Sequence, residues 1–136
     1  MIVFLDTSAL IYLIEGNEPF GSRARARLAE LSGQHVDLVA AVSRLTWLEA
    51  RVGPMKRRDD ATLTAYDSFF AQPDLVWVEL TRDVVELATA IRVQHGLRTP
   101  DALQAASCLQ LGPDHRFLSG DTKFQGVSGL QVCLLS

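Results

Sequence analysis

The sequence predicts one α/β domain, a three-layer α/β/α sandwich around a mainly parallel sheet of about five strands. Three observations predict it. A chain of 136 residues suits one domain and leaves no room for a second, so residues 1–136 are read as a single unit. Hydrophobic residues at 48% and charged residues at 21% provide for a real core and argue against disorder, collagen-like repeats or a coiled coil. Short apolar runs rich in β-formers alternate with helix-patterned segments, and strands separated by helices pair in parallel through right-handed crossovers.

The elements follow in order. Ile2-Val3-Phe4-Leu5 is a continuous apolar run closed by Asp6-Thr7-Ser8, as expected for a strand buried on both faces. A helix carrying Ala9, Leu10, Tyr12, Leu13 and Ile14 runs to a stop at Gly16-Asn17. Ser22 is placed to cap a second helix over Arg23 to Leu31. Leu38 to Val42 forms the second strand, and Ser43 caps a helix with Leu45, Leu48 and Glu49 that Gly53-Pro54 is expected to end. Asp59 or Asp60 opens the next helix, through Phe69 and Phe70. Leu75 to Val78 is the third strand. Thr81 and Asp83 start a helix that stops at His95-Gly96, and Thr99-Pro100-Asp101 starts another, with Thr99 as its cap, to about Leu111. Arg116-Phe117-Leu118 and Leu130 to Leu135 supply the last two strands.

Ligands of open parallel sheets bind beyond the carboxyl ends of the strands, so acids placed there are the first candidates for a site. Asp6 follows the first strand, Asp121 follows the fourth, Asp101 sits in the first turn of a helix, and Glu49 lies on the helix after the second strand. All four can meet at one edge. Carboxylates about 4 Å apart repel by roughly 4 kcal/mol at an effective dielectric near 20, so such a group takes up protons or binds a cation. A hard divalent ion, Mg²⁺ or Mn²⁺, suits oxygen ligands. Taken singly, Asp101 can complement a helix dipole, Asp121 can open a turn and Glu49 can be a solvated helix residue. Asp6 is harder to dismiss, because a charge that ends a buried strand needs a partner or a metal.

The motifs around these acids resemble those of the PIN-domain family, and within it the VapC-type toxin ribonucleases of VapBC toxin–antitoxin systems. Phe4-Leu5-Asp6-Thr7-Ser8-Ala9-Leu10 resembles the first motif and Ser43-Arg44-Leu45-Thr46-Trp47-Leu48-Glu49 the second. Arg98-Thr99-Pro100-Asp101-Ala102-Leu103-Gln104-Ala105-Ala106 resembles the third and Phe117-Leu118-Ser119-Gly120-Asp121-Thr122-Lys123-Phe124 the fourth. The resemblance implies a PIN fold and a catalytic quartet of Asp6, Glu49, Asp101 and Asp121. Metal would be held by Asp6 and Asp101, with Glu49 and Asp121 joining directly or through water, and Ser8 and Ser119 would be supporting hydroxyls. Ser119 stands where Thr is common in the family, and Lys123 stands where some relatives carry a further acid, which implies weak or water-mediated metal binding at the fourth corner.

The implied activity is Mg²⁺- or Mn²⁺-dependent hydrolysis of RNA phosphodiester bonds, leaving a 5′-phosphate and a 3′-hydroxyl. The implied partners are a cognate VapB-type antitoxin and a second copy in a homodimer, with Leu10, Leu13 and Ile14 as candidate groove residues. Arg44, Arg51, Arg98 and Lys123 are candidate RNA contacts, and Lys56-Arg57-Arg58 is the densest basic cluster. The balance of 13 basic against 16 acidic residues, a net charge of −3, opposes bulk electrostatic binding of nucleic acid. Assigning four acids to a metal site leaves 12 acidic against 13 basic residues and removes that objection.

Other readings are weaker. A haloacid-dehalogenase-like phosphatase expects a second Asp where Ser8 stands, and a receiver domain expects paired acids where Leu5 precedes Asp6. A non-catalytic PIN scaffold does not call for all four acids, and a PIN nuclease of RNA maturation, working without an antitoxin, would share the site. Cys108 and Cys133 have no partner at metal-ligand spacing and read as buried free thiols, while His35, His95 and His115 fall outside the motifs and read as exposed or capping residues. No apolar stretch nears the roughly 20 residues that cross a bilayer and no basic segment precedes the first strand, so the chain reads as cytoplasmic.

Overall fold

A computed structural model describes residues 1–135. Its elements run β1 (Ile2–Leu5), α1 (Thr7–Glu15), α2 (Phe20–Gln34), β2 (Val39–Ser43), α3 (Arg44–Arg57), α4 (Asp60–Phe70), β3 (Val76–Val78), α5 (Arg82–His95), α6 (Thr99–Leu109), β4 (His115–Ser119) and β5 (Val132–Leu134), with a 3₁₀ turn over Thr122–Phe124. The five strands form one sheet in the order β3-β2-β1-β4-β5, every pair parallel. The three-layer sandwich expected from the sequence is therefore observed.

Alternation along the strands sends side chains to opposite faces. Val3, Leu5, Val42 and Leu118 pack with Leu10, Leu31, Tyr66 and Phe70 of the α1–α4 layer. Phe4, Ala41 and Phe117 pack on the other face with Val84, Ile91, Ala105 and Cys108 of α5 and α6. The buried Tyr66 hydroxyl is satisfied by donating to Glu15 Oε2 at 2.7 Å.

Local signals set most boundaries. The side chains of Ser43, Asp59 and Thr81 accept backbone N–H bonds from Leu45, Thr62 and Val84 at the starts of α3, α4 and α5. Gly16 closes α1 in the left-handed conformation (φ 73°) that the sequence signal implied.

Three boundaries differ from expectation. Gly53-Pro54 does not end α3: Pro54 is buried inside a helix that continues to Arg57, and Arg58, at φ 55°, closes it with its N–H on Met55 O. A proline removes only one donor, and here it falls in the last turn, where the helix has little left to lose. Ser22 does not cap α2, which starts at Phe20, and its hydroxyl donates to Glu18 instead. Thr99 is the first residue of α6 rather than its cap, and its Oγ1 accepts from Arg92 Nη1 at 2.8 Å.

His115 also departs from the exposed or capping reading. It is fully buried, its Nδ1 donates to Gly112 O at 2.7 Å and its Nε2 accepts from Gln131 N–H at 3.1 Å, so it ties the start of β4 to the approach of β5. Cys108 is buried and free, whereas Cys133, also free, is only partly buried.

Candidate active site

β1 lies at the centre of the sheet, with β2 on one side and β4 on the other, so the strand order reverses between β1 and β4. A crevice at such a switch point is where α/β sheets bind ligands. The register Leu5↔Leu118 brings Asp6 beside Ser119 there, and Asp6 N–H donates to Leu118 O at 3.0 Å. Asp6 caps α1, with Oδ1 accepting from Thr7 N–H at 2.9 Å. Its Oδ2 accepts from Ser119 Oγ at 2.8 Å and Ser8 Oγ at 3.0 Å. Both hydroxyls singled out in the sequence thus grip this carboxyl.

Asp6 is 7% exposed. Burial pushes its pKa up to about 6, against hydrogen bonds from Ser119, Ser8 and Thr7 that pull it down, and the Glu49 charge adds to the rise. Ser119 Oγ also accepts from Asp121 N–H at 3.1 Å, and Ser8 Oγ from Gly120 N–H at 3.3 Å, which fastens the β4 loop to α1. A Cβ on Gly120 would stand 2.8 Å from Tyr12 Cε2, so any larger residue would have to push the Tyr12 ring aside for this loop to lie so close to α1.

Glu49 is held by two residues to which the motif reading gave no role. Its Oε1 accepts from Thr7 Oγ1 at 2.8 Å and Gln104 Nε2 at 3.0 Å. The same Gln104 nitrogen lies 3.0 Å from both Thr7 Oγ1 and Thr46 Oγ1, and the two threonine hydroxyls are 3.0 Å apart. Two amide hydrogens therefore serve three acceptors in a buried knot joining α1, α3 and α6. Gln104 Oε1 is buried without a partner among the described residues. The sequence did carry a signal: Gln104 is a lone amide among Ala102, Leu103, Ala105 and Ala106, one turn beyond Asp101.

Asp101, in the first turn of α6, and Asp121, capping the 3₁₀ turn, share a cation. Lys123 Nζ lies 3.0 Å from Asp101 Oδ2 and 3.0 Å from Asp121 Oδ2. Burial is the largest single influence on Asp121 and raises it, but the hydrogen bonds and charge of Lys123 together outweigh it and hold the carboxyl below its usual range. Asp121 and Asp101 in turn raise Lys123.

The acids thus gather as Asp6 near Glu49 and Asp101 with Asp121 around Lys123. Among the described residues, no three or more His, Cys, Asp or Glu side chains stand close enough together to hold a metal ion. A Mg²⁺ ion commonly takes one or two carboxylates and keeps several waters, so a three-acid cage is not required. The donors are oxygens, Asp6 is a buried carboxyl with no cationic partner among the described residues, and a cation already stands between Asp101 and Asp121. Their donor chemistry, all oxygen, is the kind a hard divalent ion takes.

The other candidates are spread more widely. Arg44 donates to both carboxylate oxygens of Glu79 and lies 4.0 Å from the ring centroid of Trp77, and Arg51 pairs with Asp67 and lies 4.5 Å from that of Trp47. Arg98 is exposed at the start of α6. Arg57 reaches Glu15 and Asp59, and Lys56 and Arg58 are exposed beside it. Leu10 does not line a groove: it is fully buried, and Leu13 and Ile14 are half-buried against the same core, because α1 turns its apolar side onto the sheet. The exposed apolar side chains near the site are instead Trp47, Leu48, Val52 and Met55 of α3.

The PIN domain family model matches residues 3–130. Among solved structures, the chain is similar to VapBC2 of Rickettsia felis bound to a promoter DNA fragment (TM-score 0.76, 19% identity, 98% of each chain). It is also similar to DNA-bound VapBC of Salmonella typhimurium (TM-score 0.76, 17% identity, 100% of this chain and 99% of that one). A third similar structure is VapC20 of Mycobacterium tuberculosis, described as a sarcin-ricin loop cleaving toxin (TM-score 0.68, 18% identity, 95% of this chain and 98% of that one). No curated protein matches the sequence.

Proposed function

The chain belongs to the PIN-domain family, and from that premise we propose that it is a VapC-type toxin, a metal-dependent endoribonuclease restrained by a cognate VapB-type antitoxin. The observation that carries the proposal is Asp6, a buried carboxyl at the switch point, fixed by three donors and pushed up to about 6 by its burial. The solved relatives, which include VapBC complexes and a toxin that cleaves the sarcin-ricin loop, support the same reading.

Asp6 and Asp101 would hold Mg²⁺ or Mn²⁺, with Glu49 and Asp121 adding negative charge nearby. Bound there, such an ion lowers the pKa of a coordinated water and offsets charge on the leaving oxygen of a phosphodiester. Ser8, Ser119 and Thr7 N–H fix both oxygens of Asp6, so its direction is set before any ligand arrives. Thr7 and Gln104 fix Oε1 of Glu49 and leave Oε2 to hold a water. Arg98, exposed at the rim, supplies a positive charge for phosphate. An antitoxin or a second copy of the chain would find the exposed Leu48, Val52 and Met55 on the helix that carries Glu49.

The test is incubation of purified protein with labelled RNA, with Mg²⁺ or Mn²⁺ or in chelator, beside Asp6→Asn and Asp101→Asn. Cleavage should need metal and fall by more than about 100-fold in each variant, since loss of a supporting group alone costs about 10–100-fold. Cleavage that persists in chelator sinks the proposal. Induced expression should arrest growth, and co-expression of the neighbouring small gene should relieve it.

A further inference from the structure

Both oxygens of Asp121 are taken by one residue. Oδ1 accepts from Lys123 N–H at 2.9 Å, and Oδ2 lies 3.0 Å from the ammonium of the same lysine. That ammonium also donates to Asp101 Oδ2 at 3.0 Å, which leaves Asp101 Oδ1 as the one oxygen of the pair with no protein donor among the described residues. The lysine is held in place by its turn. Phe124, the next residue, is fully buried, its ring 4.7 Å from that of Phe117, and Gln125 N–H closes the turn on Thr122 O at 3.1 Å. Lys123 is one of two lysines against eleven arginines in the chain. Its compact charge can sit between two carboxylates, where a planar guanidinium would prefer to face one of them.

We propose that Asp121 in this chain is the ligand of its own lysine rather than of a metal, so that the site takes a single divalent ion, at Asp6 and Asp101, with the Lys123 ammonium as its second positive charge. The inference rests on the metal-nuclease reading above. Paired catalytic ions stand about 3.5–4 Å apart and share carboxylates between them. Here the carboxylates that a second ion would need already share an ammonium. That ion would have to displace the ammonium from both carboxylates.

The experiment counts Mn²⁺ bound to the full chain by electron paramagnetic resonance titration, in wild type, Lys123→Met and Lys123→Asp, with circular dichroism confirming that each is folded. Wild type should bind one ion per chain. Both variants should bind two over the concentration range in which wild type binds one. Two ions or none in wild type, or a single ion in either variant, would overturn the inference. RNA cleavage measured in parallel separates the two readings. An inactive wild type with one ion, beside variants with two, strikes the nuclease and leaves the ion count. An active wild type with two ions does the reverse.

Discussion

Asp6 and Asp121 are joined through a single hydroxyl, that of Ser119, yet their surroundings are opposite. Asp6 is 7% exposed and receives only neutral donors, two hydroxyls and a backbone N–H. The Asp121 side chain is 41% exposed and holds an ammonium. Burial therefore lifts Asp6 to about 6, whereas Lys123 keeps Asp121 low. Asp6 directly follows β1, whereas Asp121 stands two residues beyond β4 and is met by Lys123 of its own turn, so the difference comes from what each segment and its neighbours place against the carboxyl. The inner half of the site holds a buried carboxyl with no cationic partner among the described residues; the outer half carries its own cation.

The sharpest way to break this contrast is to titrate it. Native Asp6, at about 6, holds its proton more tightly than the unfolded chain, whose value is 3.8. Between those values the native state binds more protons, so the Asp6 contribution to stability falls as pH rises through the window and stays low above it. A shift of that size corresponds to about 3 kcal/mol. In chelator at pH 7, Asp6→Asn should therefore be more stable than wild type by up to this amount, and the difference should vanish below about pH 4. Denaturant melts across pH check it, and a variant less stable than wild type at pH 7 would show that Asp6 is not a strained carboxylate.

A second test stays within the inner half and separates positioning from stability. Gln104→Leu removes the amide that fixes Glu49 Oε1 but leaves the Thr7 bond. Loss of such a supporting group should cost about 10–100-fold in cleavage or Mn²⁺ affinity. Stability should change little, because the buried and unpartnered Oε1 carries a desolvation cost of about 1–3 kcal/mol that disappears with it. Unchanged cleavage, with or without a change in melting, would make Gln104 a packing residue only.

These two halves were not equally legible in the sequence. The strands, the caps Ser43, Asp59 and Thr81, and the stops Gly16 and Gly96 are local signals, and the structure shows each of them in place. The placement of the acids was legible for the same reason, since an acid just after a strand or in a first helical turn is fixed by its own segment. The supports of Glu49 were not, because Thr7, Thr46 and Gln104 meet across 39 to 97 positions of sequence. The partners of Arg44 and Arg51 were equally illegible, since Glu79 and Asp67, which engage them, arrive from later segments. Leu10, a candidate groove residue in the sequence, proves to belong to the core, since which side of α1 meets the sheet is fixed only by the tertiary packing.

The smallest expected effect lies in the outer half. Lys123, Asp101 and Asp121 have side-chain exposures of 42%, 21% and 41%, and exposed ion pairs contribute only about 0–1 kcal/mol each. Lys123→Met in chelator should lower the melting temperature by about 4 °C or less, since 1 kcal/mol moves a domain of this size by roughly that much. The loss should shrink in about 1 M salt, where screening acts within about 3 Å and the two carboxylates left without a cation repel less. Added Mg²⁺ should restore more stability to the variant than to wild type, because only the variant has Asp121 free to take it. A loss that is equal at low and high salt would place the role of Lys123 in packing of its aliphatic stem, and the outer half would then be no more electrostatic than the inner one.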